Sequence, residues 1–185
     1  MLETASTIVT TAGERIEVLL DAAVIQDRVE ALAGEISAAG LHKPLVVPIL
    51  TGSFIFAADL IRALHGTGVA PEVDFLSLAS YGSSTESSGR IRILRDLEAD
   101  AGGRDILLID DILDTGRTLA FAKDLLTARR ARRVSTCVML DKKSARSVDI
   151  AADFCGFACP DAFVVGYGMD LAHRFRELPF IGRIV

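Results

Sequence analysis

Residues Ile106 to Leu119, ILLIDDILDTGRTL, carry the densest chemistry in the chain. Apolar residues run into Asp110 and Asp111, two more lead to Asp114, and Thr115, Gly116, Arg117 and Thr118 follow at once. A buried strand would deliver the two acids to its carboxyl end, and DTGRT would turn into a helix. Backbone N–H groups and the hydroxyls of Thr115 and Thr118 then converge on one small volume. Open amides and the positive end of the helix dipole suit a phosphate, and Gly116 lets the backbone come close. Taken singly, Asp at a strand end and Thr before a helix are ordinary turn and capping choices. Two like charges placed side by side after a buried strand need a further reason.

The elements that must hold this segment follow from the apolar pattern. Val29, Leu32, Ala33 and Ile36 give Gln26 to Ala39 a helical stripe after a ragged start, with Gly40 as its stop. LVVPIL (Leu45 to Leu50) is the short, continuous apolar run of a strand buried on both faces. It breaks at Gly52 into the helical SFIFAADLIRAL. Val73 to Ser80 reads as a strand, YGSSTESSG as a polar hairpin-like excursion, and RIRILRDL as its alternating return. DILLIDDI is a strand, RTLAFAKDLLTARR a helix, and VSTCVML, DFCGFAC and FVVGYG are further strands. Strands alternating with helices predict an α/β fold, a mostly parallel central sheet with helices on both faces, whose ligands bind at the carboxyl ends of the strands.

The chain has 185 residues, half of them hydrophobic and 24% charged, with no linker dividing it, which predicts one domain over 1–185 with an uncertain leader at 1–25. Twenty Lys and Arg against 25 Asp and Glu give a net charge of −5, so the overall field repels nucleic acid and anionic membranes. The N-terminus lacks the pattern of a signal peptide and no run is long enough to span a bilayer, which points to the cytoplasm. Cys137, Cys155 and Cys159 read as reduced, small apolar side chains; CGFAC has no second pair to complete a metal site.

Hydrophobics, two acids, two hydrophobics, then Asp-Thr-Gly and Thr resemble the signature of the type I phosphoribosyltransferase family. LTGSFIFAADLIRAL, SYGSSTESSG and VVGYGMDLAHRFRELPFIG resemble further segments of its bacterial hypoxanthine-guanine branch, in the same order, from about Gln26 to the C-terminus. The resemblance implies that fold, with a small hood and a flexible active-site loop at 80–90. It implies transfer of a 5-phosphoribosyl group from phosphoribosyl pyrophosphate to hypoxanthine or guanine, with Mg²⁺ and in a homodimer or homotetramer.

Carried over residue by residue, the resemblance assigns Asp110 and Asp111 to the ribose hydroxyls and the metal, Asp110 being shorter than the Glu common there. Asp114 becomes the general base for purine N7, and Thr115, Gly116, Arg117 and Thr118 the cradle of the 5-phosphate, with a solvent-facing Arg117 equally open. Leu50, Thr51 and Gly52 form the pyrophosphate loop, where relatives often have a non-proline cis peptide and where Thr51 replaces a basic residue. Arg176 then becomes the pyrophosphate partner and Asp170 the main magnesium ligand. Lys142 donates to the 6-oxo group, Phe163 stacks on the ring, Val164 offers backbone groups to the base edge, and Ser80 and Tyr81 close over the pyrophosphate side. Two rivals stay open: a nucleotide-sensing nucleic-acid regulator, for which TARRARR is basic but ends an amphipathic helix where cations are normal, and an enzyme of the same kind acting on xanthine or adenine. Lys142 argues against adenine, because an ammonium meets an exocyclic amine unfavourably.

Overall fold

A computed structural model describes residues 7–80 and 91–185. The elements are β1 (Ile8–Thr11), β2 (Glu14–Leu20), α1 (Ala22–Ala38), β3 (Leu45–Leu50), α2 (Phe54–Gly66), β4 (Glu72–Val73), β5 (Leu76–Ser80), β6 (Ile91–Arg95) and β7 (Asp105–Leu113). They continue with α3 (Arg117–Ala128), β8 (Arg133–Asp141), β9 (Phe154–Ala158), β10 (Val164–Val165) and β11 (Ile181–Ile184).

The main sheet runs β6-β5-β3-β7-β8-β9, with β4 also on β3, and every pair in it is parallel except β5 with β6. Successive residues of its central strands face opposite sides. Val46, Leu107, Ile109, Cys137 and Met139 pack with Val29 and Leu32 of α1 and Phe56 and Leu60 of α2. Leu45, Val47, Ile106, Leu108 and Val138 pack with Leu119, Ala122 and Leu126 of α3. Burial on both faces is why β3 and β7 read as unbroken apolar runs. The amino end of β7 is pinned by Asp105, fully buried, which accepts from Arg132 Nε at 2.7 Å, Arg133 Nη2 at 3.0 Å and the His42 amide at 2.9 Å.

Four expectations change. The leader is not ragged, since β1 and β2 form a hairpin whose β2 pairs with β11, giving a second, antiparallel sheet in the order β1-β2-β11-β10 around Ile16, Val165 and Phe175. The first helix starts at Ala22 rather than Gln26, because Asp21 accepts from the Val24 amide at 2.9 Å and caps it. FVVGYG is a strand only over Val164–Val165 and joins the second sheet, because Gly166, Tyr167 and Gly168 have φ of 96°, 51° and 99° and turn the chain.

Finally, Val73 to Ser80 is two strands, interrupted at Asp74–Phe75. The Asp74 amide donates to the Val46 carbonyl at 3.1 Å, so Val46, and by alternation Pro48, point towards this break. Pro48 has no N–H to offer a ladder, and the partner strand yields where the donor is missing. Asp74, 7% exposed, binds the loosened backbone through the amides of Phe75 (2.7 Å), Glu98 (2.7 Å) and Ala99 (2.9 Å). Burial alone would raise its carboxyl, yet the amides of Ala99, Phe75 and Glu98 with the Arg95 charge hold it below the ordinary range.

Asp74→Ala should therefore lower unfolding free energy by about 1–3 kcal/mol at pH 7. A carboxylate depressed in the fold stabilises above its unfolded value of 3.8 and loses that contribution as pH falls through its folded value. Urea melts should show the gap between variant and parent narrowing at pH 3.

Candidate active site

Strand β7 carries Asp110 and Asp111 to the carboxyl edge of the sheet, each accepting the next residue's amide, Asp111 N at 3.0 Å and Ile112 N at 2.9 Å. Asp110 is only 9% exposed, and burial first, then the charge of Asp111, pushes its carboxyl well above the ordinary range. Burial raises Asp111 as well, against the pull of the Ile112 amide and the nearby Arg176 charge.

Two glycines make room for this pair. A Cβ on Gly52 would stand 1.9 Å from Asp111 Oδ2, and one on Gly168 would stand 2.3 Å from the Gly52 carbonyl oxygen. The loop after β3, the end of β7 and the turn after β10 thus touch through backbone. The Leu50–Thr51 peptide is cis, as the resemblance implies, and Thr51 is exposed beside it.

From the β10 turn, Asp170 reaches the same corner. Its Oδ2 accepts from the His173 amide at 2.7 Å and its Oδ1 pairs with Arg176 Nη2 at 2.7 Å, while Arg176 Nη1 donates to the Gly168 carbonyl at 2.6 Å. Arg176 is therefore engaged with Asp170 and the turn, where the expectation gave it to pyrophosphate.

Four residues after Asp110, Asp114 opens the turn into α3. Gly116 is its N-cap, with φ 85° and no side-chain cap, so the first-turn amides are presented outward; Thr115 Oγ1 accepts from the Arg117 amide at 3.4 Å. The reason for glycine is local as well as chemical, since a Cβ there would meet Ile150 Cγ2 at 2.6 Å. Asp114 Oδ1 is buried and has no hydrogen-bond partner among the described residues. An unsatisfied carboxylate oxygen away from water is expensive, by about 1–3 kcal/mol or more, so its survival points to use.

Opposite it, the Lys142 amide donates to the Leu113 carbonyl at 3.0 Å, joining the end of β8 to the residue before Asp114. Lys142 Nζ, on a side chain 18% exposed, donates to the Ala162 carbonyl at 3.1 Å and lies 3.5 Å from Asp161 Oδ1. That places it beside Phe163, whose ring is 57% exposed. Val164 begins the edge strand of the second sheet, and an edge strand keeps alternate backbone groups unpaired on its outer side.

Asp110, Asp111, Asp114, Thr115, Gly116, Arg117 and Thr118 are thus consecutive along one edge, with Thr51, Gly52, Asp170 and Arg176 on one flank and Lys142, Phe163 and Val164 on the other. Ser80 ends β5, and Tyr81 with the rest of the 80–90 loop lies outside the described residues. Arg146, which donates to the Asp114 and Leu113 carbonyls, was not anticipated; its signal, a lone arginine in a basic turn, is indistinguishable in sequence from a solvated one. All three cysteines are free thiols, and burial pushes each of them up. A cleft of about 600 Å³ lined by α1, α2 and Tyr167 shares Arg176 with the site but none of the β7 acids.

The residues suit Mg²⁺. A buried carboxylate beside a partly buried one, both with raised proton affinity, suits a cation, and no cluster of three or more His, Cys, Asp or Glu exists among the described residues to cage one. Magnesium is commonly held by one or two carboxylates together with substrate oxygens.

Known proteins share this sequence pattern and fold. Residues 16–172 match the phosphoribosyl transferase domain. The chain is 44% identical to the hypoxanthine-guanine phosphoribosyltransferase of Bacillus subtilis over 90% of this chain and 91% of that one. It is 40% identical to the hypoxanthine phosphoribosyltransferase of Salmonella typhimurium over 92% and 96%. Among solved structures, the hypoxanthine phosphoribosyltransferase of Staphylococcus aureus superposes with TM-score 0.85 at 39% identity, over 91% of each chain. The Trypanosoma cruzi enzyme, for which the C-terminal region has a role in oligomeric state and activity, superposes with TM-score 0.85 at 34% identity, over 91% of each chain.

Because burial and the neighbouring Asp111 disfavour a charge on Asp110, Asp110→Asn should stabilise the ligand-free protein at neutral pH, Tm rising by about 3 °C for each kcal/mol relieved. A raised carboxyl weakens the fold only once the unfolded state can ionise, above 3.8, so the gain should disappear near pH 3. Thermal melts of both proteins at the two pH values check this.

Proposed function

The chain belongs to the phosphoribosyl transferase domain family, and from that premise we propose that it is a hypoxanthine-guanine phosphoribosyltransferase of purine salvage. It transfers a 5-phosphoribosyl group from phosphoribosyl pyrophosphate to hypoxanthine or guanine, giving IMP or GMP and pyrophosphate.

One observation carries the residue assignment: the buried Oδ1 of Asp114, without a hydrogen-bond partner among the described residues and set between the turn into α3 and the Lys142 strand end. As purine N9 forms its bond to ribose C1 and the bond from C1 to pyrophosphate breaks, the base must lose a proton, and Asp114 takes it from N7. Amides and hydroxyls of Thr115, Gly116, Arg117 and Thr118 hold the 5-phosphate, which fixes the sugar relative to the base. Asp110 and Asp111 accept from the ribose hydroxyls. Thr51 and Gly52 meet the pyrophosphate with Ser80 and Tyr81, and Arg176 serves there through its hold on Asp170.

Lys142 keeps an N–H for the 6-oxo group beyond those it gives Ala162 and Asp161, Phe163 stacks on the ring, and Val164 reads the edge from its unpaired side. Mg²⁺, held by Asp170 with Asp110 and Asp111, would neutralise the pyrophosphate as it leaves. The reading is completed by one domain over 1–185, a homodimer or homotetramer, a cytoplasmic setting with reduced thiols, and no nucleic-acid or membrane partner. No helix among the described residues is long and apolar enough to cross a membrane.

Steady-state assays with Mg²⁺, phosphoribosyl pyrophosphate and each of hypoxanthine, guanine, xanthine and adenine test the reading. Turnover of the first two but not adenine is expected; no turnover with any base would leave a protein that only binds. Asp114→Asn should lower kcat by about 100-fold or more, with KM for phosphoribosyl pyrophosphate nearly unchanged. Lys142→Gln should reduce kcat/KM for hypoxanthine by about 10- to 100-fold and narrow the margin over adenine.

A further inference from the structure

We propose that Arg146 is the positioning residue of this site, aiming the Asp114 carboxylate by clamping the two peptide groups on either side of it; this rests on the assignment of Asp114 as proton acceptor. Arg146 Nε donates to the Asp114 carbonyl at 2.9 Å and Nη2 to the Leu113 carbonyl at 3.0 Å. The Leu113 carbonyl belongs to the peptide before the Asp114 Cα and the Asp114 carbonyl to the one after it. Holding both from one rigid plane sets φ and ψ between them, and with those the direction in which the side chain leaves.

The remaining donors anchor the fork. Arg146 Nη2 also pairs with Asp141 Oδ1, and Nη1 donates to the Ile150 carbonyl. Arg146 and Asp141 side chains are 17% and 16% exposed, so the pair is mostly shielded from solvent screening. Asp141 immediately precedes Lys142, and the Leu113 carbonyl that Arg146 binds also accepts the Lys142 amide at 3.0 Å. One guanidinium thereby sets the proton acceptor in register with the residue proposed to read the base. Only a planar fork with several fixed donors can do this; an ammonium is a point charge on a flexible stem.

The neighbouring phosphate turn does not depend on Arg146 in the same way. Its Thr115 carbonyl is taken by the amides of Ser147 (3.0 Å) and Val148 (3.1 Å) and by Ser147 Oγ (3.2 Å). Loss of the fork should therefore disturb Asp114 more than the phosphate site, which separates aiming from general support.

The test is a double-mutant cycle of Arg146→Lys with Asp114→Asn, read as kcat for hypoxanthine and KM for phosphoribosyl pyrophosphate. Arg146→Lys alone should lower kcat by about 10- to 100-fold, the usual effect of misplacing a reacting group by an ångström, with KM for phosphoribosyl pyrophosphate changed less than about threefold. In the Asp114→Asn background the same change should cost less than about threefold, because no carboxylate remains to aim. Losses that multiply in the double variant, or a KM that rises in step with the fall in kcat, would overturn the proposal while leaving Asp114 in place. Full turnover in Asp114→Asn would overturn both. If Arg146→Lys does not melt cooperatively, Asp141→Asn replaces it in the cycle, with the same kcat-selective loss expected and the same multiplicative result decisive against it.

Discussion

The site hangs on a close approach that only bare backbone permits. Asp111 lies where a side chain on Gly52 would be, and the Gly52 carbonyl lies where one on Gly168 would be. A Cβ on Gly168 would push the turn after β10 away from the loop after β3, and one on Gly52 would push that loop away from the end of β7, so either would open the corner where the two sheets meet. Asp110 is buried and Asp111 partly buried at this junction, and burial raises both carboxyls, so the fold carries an electrostatic cost there. Burial removes competing water in advance, the condition under which a few directed contacts act strongly.

Around that junction the labour divides by sheet. The parallel sheet supplies what is common to any phosphoribosyl donor: strand-end acids, a helix N-terminus and a glycine loop, all products of its topology. On the proposed reading, the second sheet helps to distinguish one base from another, through Phe163 and the edge of β10. Lys142 belongs to the first sheet but points its ammonium into the second, at the Ala162 carbonyl, and so links the two.

Much of this was legible in the sequence where neighbours along the chain decide the outcome. The β7 run, its acids and DTGRT are contiguous, and their periodicity and turn chemistry suffice to place a strand, a tight turn and a helix. The hairpin of β1 and β2 was read as a ragged leader because its stabilising partner, β11, lies at the far end of the chain, and two strands alone are marginal. The break between β4 and β5 was missed because it answers to Pro48 on another strand. Arg146 was missed for a similar reason: its worth lies in the carbonyls it meets, and carbonyls have no residue type.

The second sheet also orders events in time. Leu20 pairs with Ile181 and Ile16 with Ile184, so strand β2, paired locally only with β1, meets its other neighbour only when the distant β11 has formed. The parallel sheet can collapse around α1, α2 and α3 earlier, from contacts nearer in sequence. On the proposed reading, the phosphate-binding edge of a folding chain would thus form before the wall for the base, and the distinction between purines would follow the grip on phosphate.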